Sequence, residues 1–246
     1  MYDLRPVGYV IGLLVLVLGL TMLVPMGVDL YYQNGHWRAF LESAVLTVLP
    51  GAMLALAASS GGSKRLSIQQ TFLLTTGVWL ALPIFGACPF IIGATDATFI
   101  DALFESMSGL TTTGSTVIIG LDNAPPGILI WRSILQWLGG VGIIVTAIAV
   151  LPLLQIGGMQ LFRTESSDQS DKILPRAAEI ARSISWIYLS LTASCLIAYL
   201  AAGMDSIDAT VHAMTTIATG GFANTDASFG AYGAGAEYIA VAFMIL

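Results

Sequence analysis

The hydrophobic positions of the chain fall into five long runs that are separated by shorter polar stretches. A helix needs roughly 20 apolar residues in a row to cross a bilayer, and each run is at or near that length. The runs cover residues 7–28, 40–59, 68–93, 127–156 and 183–204. A sixth run begins at Ala236 and has eleven residues by Leu246. The pattern therefore predicts five complete membrane-spanning helices and about half of a sixth.

The composition supports a membrane location. Hydrophobic residues make up 56% of the 246 residues, charged residues make up 10%, and the mean hydropathy is +0.84. Soluble domains carry about 25% charged residues. We therefore predict an all-α integral membrane protein, and we expect no nucleic-acid partner.

The charged residues predict an orientation in the membrane. If each run crosses once, seven of the nine basic residues share one side: Arg5, Lys64, Arg65, Arg163, Lys172, Arg176 and Arg182. By the positive-inside rule this side is cytoplasmic, and so is the N-terminus. The other side holds ten acids: Asp29, Glu42, Asp96, Asp101, Glu105, Asp122, Asp205, Asp208, Asp226 and Glu237. An acidic outer mouth of this kind concentrates cations and repels anions.

A polar segment occurs twice between apolar runs. Residues 100–115, "IDALFESMSGLTTTGS", align without a gap to residues 207–222, "IDATVHAMTTIATGGF". A helix over residues 101–110 is only about 15 Å long, which is half of the hydrocarbon thickness. We therefore expect it to enter the membrane and return to the outer face. Because both copies enter from the same face, they predict parallel membrane-pore-membrane repeats with re-entrant pore helices.

The unwound segment after each short helix is the candidate for an ion-binding filter. Non-helical backbone at membrane depth is tolerated only where it is buried in protein or lines a water-filled path. Consecutive backbone carbonyls in such a segment replace the hydration shell of a permeating cation. An extracellular turn is the alternative, but the second copy in the same context favours a filter. The predicted filter residues are Thr111, Thr112, Thr113, Gly114, Ala218, Thr219, Gly220 and Gly221.

Four segments resemble a known family. They are "FESMSGLTTTGST", "WRSILQWLGGVGIIV", "LPLLQIGGMQLFRTE" and "TIATGGFANTDAS". They resemble the bacterial Trk-type membrane subunit of the Trk/Ktr/HKT superfamily of potassium transporters, over essentially the whole chain. Members of this family carry four membrane-pore-membrane repeats around one pore, and each repeat gives a short carbonyl filter with one key glycine.

The resemblance implies a division of the chain. Residues 1–62 are expected to be an extra N-terminal helix pair, and residues 63–158 the first repeat. Residues 159–182 are then a cytoplasmic linker, and residues 183–246 a second repeat that is truncated in its last helix. Repeats three and four have no counterpart, so the chain resembles the N-terminal half of a roughly twofold longer protein.

The resemblance also implies a function and partners. It implies potassium uptake across the bacterial inner membrane, with potassium bound at Thr111, Thr112, Thr219 and Gly220, and no covalent cofactor. It further implies a homodimer in the membrane and a cytosolic nucleotide-binding regulatory subunit of the TrkA type. In the plant branch of the family, serine at the first filter glycine accompanies sodium transport, so Gly114 favours potassium.

Other residues leave alternatives open. Arg132 lies in the outer half of a span, where a charge needs a partner, and Glu105 is the candidate; a snorkelling surface arginine is the other reading. The pair would support the filter without touching the ion. The glycines of "LGGVG", residues 138–142, allow either a gating hinge or close helix packing, and packing is favoured. We assign no role to His36 or His212.

Three other functions are alternatives to potassium uptake. Sodium or mixed monovalent cation transport in the same superfamily stays open, because selectivity depends on four filter segments. A carrier for a neutral solute is less favoured, since the short helices direct their C-termini inwards. An intramembrane enzyme is disfavoured because no HExxH motif and no serine/histidine pair occurs within the spans.

Overall fold

The computed structural model describes residues 3–61, 66–93, 95–154 and 170–245, with backbone only at 143–154, 170–178, 180 and 181. Helices dominate these residues, and no strand occurs among them. The helices are α1 (Arg5–Thr21), α2 (Leu23–Tyr31), α3 (Trp37–Ala57), α4 (Ile68–Gly86), α5 (Cys88–Ile92), α6 (Phe99–Leu110), α7 (Pro126–Leu154), α8 (Ser170–Ala201), α9 (Ser206–Ile217) and α10 (Ala234–Ile245). The protein is all-α over this part, as the sequence predicts.

Among the described residues, four helical segments are long and apolar enough to cross a membrane. They are Arg5–Tyr31, Trp37–Ala57, Ile68–Ile92 and Arg182–Ala201, with mean hydropathies from 1.7 to 2.6. They match the first, second, third and fifth predicted spans. The fourth predicted span coincides with α7, whose second half has no described side chains. The incomplete sixth run forms α10, which is a shorter apolar helix.

The helix boundaries differ from the hydrophobic runs at three places. The third run is divided into α4 and α5, which are separated by Ala87. The first run is divided into α1 and α2, which meet at Met22, and Pro25 lies in the first turn of α2. Proline is tolerated there because the first N–H groups of a helix have no intrahelical acceptor. Helix α8 begins at Ser170, so residues 170–182 of the predicted linker are helical. Lys64, Arg65 and Arg163 lie outside the described residues.

Helix α7 is the central element of the fold, because α2, α6 and α9 all pack against it. Its first turn is held by Asp29, whose Oδ1 accepts hydrogen bonds from Gly127 N at 2.8 Å and Asn34 Nδ2 at 2.9 Å. A carboxylate at a helix N-terminus is favoured by the helix dipole. Asp29 is fully buried. The expectation that Asp29 belongs to an open acidic mouth is therefore wrong, because this carboxylate is used as a cap.

The two short helices begin in similar ways. The hydroxyl of Thr98 accepts a hydrogen bond from Asp101 N, and the Asp101 carboxylate accepts one from Thr98 N, which completes a capping box. At the equivalent place, Asp205 caps α9 by accepting from Ile207 N at 3.2 Å. Each cap satisfies donors that have no partner within the helix. Asp101 and Asp205 therefore also have structural roles.

Candidate functional site

The chain leaves α6 and α9 by the same backbone path. The two helices have the same length, 12 residues, and they begin and end at positions that the repeat alignment makes equivalent. Beyond the helix end, Thr112 has a φ of 54° and Thr219 a φ of 50°. Two residues later, Gly114 has 79° and Gly221 has 81°. The repeat that the sequence predicts is thus also a repeat of backbone geometry.

The same hydrogen bonds close both helix ends. The Schellman pattern links the two residues after the C-cap to carbonyls in the last turn. The bonds run from Thr112 N to Gly109 O, Thr113 N to Ser108 O, Thr219 N to Thr216 O and Gly220 N to Thr215 O, all at 2.9 Å. We call residues 111–116 the first loop and residues 218–223 the second loop.

Threonine is an unusual residue for the left-handed position of such a helix end. The left-handed region is rare for β-branched residues, and holding one there costs about 1–3 kcal/mol. Thr112 and Thr219 both adopt it. Strained backbone of this kind occurs mainly where a functional geometry is imposed by the surroundings. The sequence alone predicted Thr112 and Thr219 as filter residues, but it did not indicate their left-handed backbone conformation.

The two loops touch each other at Gly114. A Cβ atom added to Gly114 would overlap the carbonyl oxygen of Gly220. No side chain fits in that space, so Gly114 is required both by its positive φ and by contact with the second loop. Around Gly221, by contrast, an added Cβ would meet nothing within 4 Å. The loops therefore meet asymmetrically, with Gly220 lying against the first loop.

A buried ion pair supports both loops. Arg132 of α7 and Glu105 of α6 are each at most 1% exposed, and Arg132 Nε donates to Glu105 Oε1 at 2.7 Å. The other guanidinium nitrogens donate to Thr116 Oγ1 at 3.1 Å and to Ala223 O at 2.7 Å. Arg132 also lies 4.1 Å above the ring of Phe222, a favourable cation–π distance. One side chain thus joins α6 to the segments that follow both glycines.

Glu105 fixes the first loop from the other side of this pair. Its carboxylate accepts hydrogen bonds from Thr116 Oγ1 at 2.8 and 3.0 Å and from Val117 N at 3.0 Å. A buried carboxylate is tolerated when it is paired and its oxygens are hydrogen-bonded, and both conditions hold here. The structure thus brings Glu105 and Arg132 together, whereas a snorkelling arginine would have its charge at the surface.

Gln136 holds the second loop, a contact that the sequence analysis missed. This residue lies one turn after Arg132 on α7 and is fully buried. Its Nε2 donates to Gly220 O at 2.7 Å, and its Oε1 accepts from Phe222 N at 3.2 Å. A single glutamine within the apolar helix pattern was the only available signal.

The hydroxyls of Thr111, Thr113 and Thr219 are engaged in local hydrogen bonds. Thr111 Oγ1 donates to Met107 O at 2.8 Å and lies 2.8 Å from Thr113 Oγ1. Thr219 Oγ1 donates to Ala218 O at 2.8 Å. Since these hydroxyls have protein partners, backbone carbonyls are the better candidates for ion ligands. The assignment of individual residues as ion ligands stays a prediction.

A cavity of about 560 Å³ lies between the segments that follow the two helices. Gly114 and Gly221 line it together with Arg132 and Asp226. The Asp226 carboxylate accepts hydrogen bonds from Gly120 N at 3.0 Å and from Leu121 N at 3.1 Å, so it links the two segments. The candidate filter thus borders a cavity whose lining is partly polar and partly apolar.

The glycines of "LGGVG" act in helix packing. A Cβ on Gly139 would overlap Leu110 O, and one on Gly140 would lie 2.7 Å from Tyr188 Oη. Around Gly142 there is nothing within 4 Å. Close approach therefore explains the first two glycines, as the packing interpretation expects.

His212 lies in α9 at the position that Glu105 has in α6. It is fully buried, its Nδ1 is 2.7 Å from Asp208 O, and its ring packs edge-to-face against Tyr199, Phe229 and Tyr232. Burial raises the pKa of the Tyr232 hydroxyl above its ordinary value, so this group stays neutral. An aromatic cluster thus supports α9 at the position where an ion pair supports α6.

Comparisons with known proteins agree with this architecture. The family model for TrkH, described as a cation transport protein, matches residues 36–246. The Trk system potassium uptake protein TrkH of Halomonas elongata is 42% identical over 99% of this chain and 51% of the relative. TrkH of Escherichia coli K12 is 43% identical over 92% of this chain and 47% of the relative.

A solved structure gives the same result in three dimensions. The crystal structure of the potassium transporter TrkH from Vibrio parahaemolyticus matches 97% of this chain with a TM-score of 0.85 and 38% identity. The match covers 48% of that protein, so the chain spans about half the length of the relatives it matches. From the family match and these relatives, we conclude that the chain belongs to the TrkH family of membrane cation transport proteins.

Proposed function

We propose that the chain forms part of the ion-conducting subunit of a Trk-type system that takes up potassium across the bacterial inner membrane. In this proposal α6 and α9 are re-entrant pore helices, and the first and second loops are filter segments. The observation that carries it is the repeated backbone, with positive φ at the same two positions of each loop. The relatives are named potassium uptake proteins, which supports the choice of ion.

The loop geometry suits a dehydrated monovalent cation. Residues of alternating backbone handedness, as at Thr112 to Gly114, turn successive carbonyls towards one side. The C-terminal end of each short helix carries a partial negative charge and lies directly before its loop. Potassium is therefore proposed at Thr111, Thr112, Thr219 and Gly220, with Glu105 and Arg132 as support.

The proposal includes the organisation and partners of the protein. Residues 1–62 are an extra helix pair, residues 63–158 and 183–246 are membrane-pore-membrane units, and residues 159–182 connect them on the cytoplasmic side. The N-terminus is cytoplasmic, the protein forms a homodimer, and a nucleotide-binding subunit of the TrkA type regulates it. The surplus of basic residues on the predicted inner side supports this orientation.

The test is ion uptake by the full-length product of the gene in bacteria that lack their own potassium uptake. The measured quantity is the ratio of potassium to sodium uptake per amount of protein in the membrane. A left-handed backbone costs a residue with a Cβ about 1–2 kcal/mol, and about 1.4 kcal/mol is a tenfold change in an equilibrium. The overlap with Gly220 O adds to this cost at position 114. Gly114→Ser should therefore lower the ratio about tenfold or more, and Thr112→Val should have a milder effect because it keeps the carbonyl.

Gly120→Ser is the matched control. Gly120 also has a positive φ, 76°, but an added Cβ would meet nothing within 4 Å. The Gly120→Ser variant should lose some stability without a change in the potassium-to-sodium uptake ratio. An unchanged ratio in Gly114→Ser, with Thr112→Val inactive, would show that threonine hydroxyls rather than carbonyls bind the ion. Equal uptake of sodium and potassium by the wild type would favour the mixed-cation alternative.

A further inference from the structure

We infer that Gln136 is a positioning residue that sets the orientation of the Gly220 carbonyl and, through it, the ion selectivity of the second loop. The inference rests on the proposed function and deepens it. Gln136 lies on α7, in the first predicted repeat, whereas the loop that it contacts belongs to the second. The amide therefore couples two parts of the chain that the repeat pattern treats as separate units.

The amide of Gln136 spans the residue with the special backbone conformation. Its Nε2 donates to Gly220 O and its Oε1 accepts from Phe222 N, so the two hydrogen bonds lie on either side of Gly221. Gly221 has a φ of 81°, and an added Cβ there would meet nothing within 4 Å. The left-handed turn at Gly221 is thus held by Gln136 through the peptide groups that flank it.

The identity of residue 220 supports this role. Gly220 aligns with Thr113 of the first loop, and neither residue has a positive φ, so the backbone itself does not demand glycine. A Cβ on Gly220 would instead overlap Gln136 Cδ. Glycine at 220 is therefore explained by the space that the Gln136 amide occupies.

The Gly220 carbonyl has protein neighbours on two sides. It accepts the Gln136 hydrogen bond at 2.7 Å, and it lies against Gly114 of the first loop. Removing the donor would leave a buried carbonyl without this partner, which is unfavourable, and the peptide group could then rotate. Gln136 thus fixes the orientation of this carbonyl at the contact between the two loops.

The contact is specific to one place in the chain. When the repeat alignment is extended, α10 has Ile239 and Phe243 where α7 has Arg132 and Gln136. The described residues therefore contain this arrangement on α7 but not on α10. The two loops share a backbone path but are held by different side chains, which makes the role of Gln136 separable by mutation.

The test compares Gln136→Met with Ser133→Ala in the full-length product of the gene, using the same uptake assay. Methionine keeps the length and apolar packing of glutamine but lacks the amide. We expect the potassium-to-sodium ratio to fall about tenfold and the potassium concentration for half-maximal uptake to rise, at an amount of membrane protein within about twofold of wild type. Ser133 is buried on the same helix and bonds Ile130 O at 2.8 Å, so its variant should keep the ratio.

If Gln136→Met does not reach the membrane, a second variant tests the role of Gln136. Gly220→Ala leaves Gln136 in place but forces the amide away, so it should also lower the ratio. In a Gln136→Ala background, Gly220→Ala should add little further loss, because the space is then free. Wild-type ratios in both Gln136→Met and Gly220→Ala would overturn the inference.

The Gly114→Ser variant separates this inference from the proposed function. If Gly114→Ser lowers the ratio while the Gln136 and Gly220 variants do not, the filter proposal stands and the role of Gln136 is refuted. If the wild type does not take up potassium, or if Gly114→Ser leaves the ratio unchanged, the proposed function itself fails.

Discussion

Replacing Glu105 by glutamine should destabilise the protein, because it leaves the Arg132 guanidinium buried without a counter-charge. The two groups are 2.7 Å apart and at most 1% exposed, so water does not screen the loss. Removing one partner of such a pair typically costs about 3–5 kcal/mol. The variant keeps the shape of the side chain, which isolates the charge from any packing change.

The remaining contacts set the size of the effect. In the variant, Arg132 keeps Ala223 O and the Phe222 ring, and the glutamine oxygen can still accept from Val117 N. We therefore expect the lower end of the range, about 3 kcal/mol, which corresponds to a fall in melting temperature of roughly 6–12 °C for a chain of this size. Exchanging the two charged residues should restore only part of the lost stability, because Val117 N–H would then face an arginine.

The assay is thermal unfolding of the detergent-solubilised protein, followed by tryptophan fluorescence, together with ion uptake in cells. Glu42→Gln is the control, since Glu42 is an exposed carboxylate on α3. Its melting temperature should stay within about 1 °C of wild type, because exposed charges contribute little to stability. A melting temperature and an uptake rate equal to wild type in Glu105→Gln would refute the view that this pair supports the loops.

Two further predictions concern packing and topology. Gly139→Ala should lower the melting temperature by several degrees, because its Cβ would collide with Leu110 O, whereas Gly142→Ala should leave the unfolding curve unchanged; equal curves for the two variants would contradict the packing role. Single cysteines at positions 122 and 64, in a background without the native cysteines, should react with a membrane-impermeant thiol reagent. Position 122 should be labelled from the outer side and position 64 from the inner side. Labelling of both positions from one side would contradict the proposed re-entrant arrangement.

The helices could be predicted from the sequence because long runs of apolar residues are a local property of the chain. Runs of about 20 apolar residues marked the spans. The alignment of the two repeats also placed the ends of α6 and α9, since the same residue types recur there. The partner of Arg132 could be named as well, because a buried charge in an apolar helix requires an acid and Glu105 lies on the short helix that precedes α7.

The contacts between the two loops could not be predicted in this way. Gln136 and Gly220 form a hydrogen bond although they are 84 positions apart in the sequence. A single glutamine in an apolar helix does not form a sequence pattern that would indicate such a partner. Charge counting also misplaced Asp29, because it cannot distinguish an acid that faces water from one that caps a buried helix. The left-handed threonines were missed for a related reason, since propensity argues against that conformation and tertiary surroundings impose it.

The contact between Gly114 and Gly220 links the evolution of the first and second loops. Any side chain added at position 114 would meet the backbone of the second loop. Whether a substitution at this position is tolerated therefore depends on a segment that is distant in the sequence. The two segments are therefore expected to change together during divergence. A loop grafted singly from a relative of different ion preference should fail, whereas a matched pair of loops, transferred with the residue at 136, should carry its selectivity into this chain.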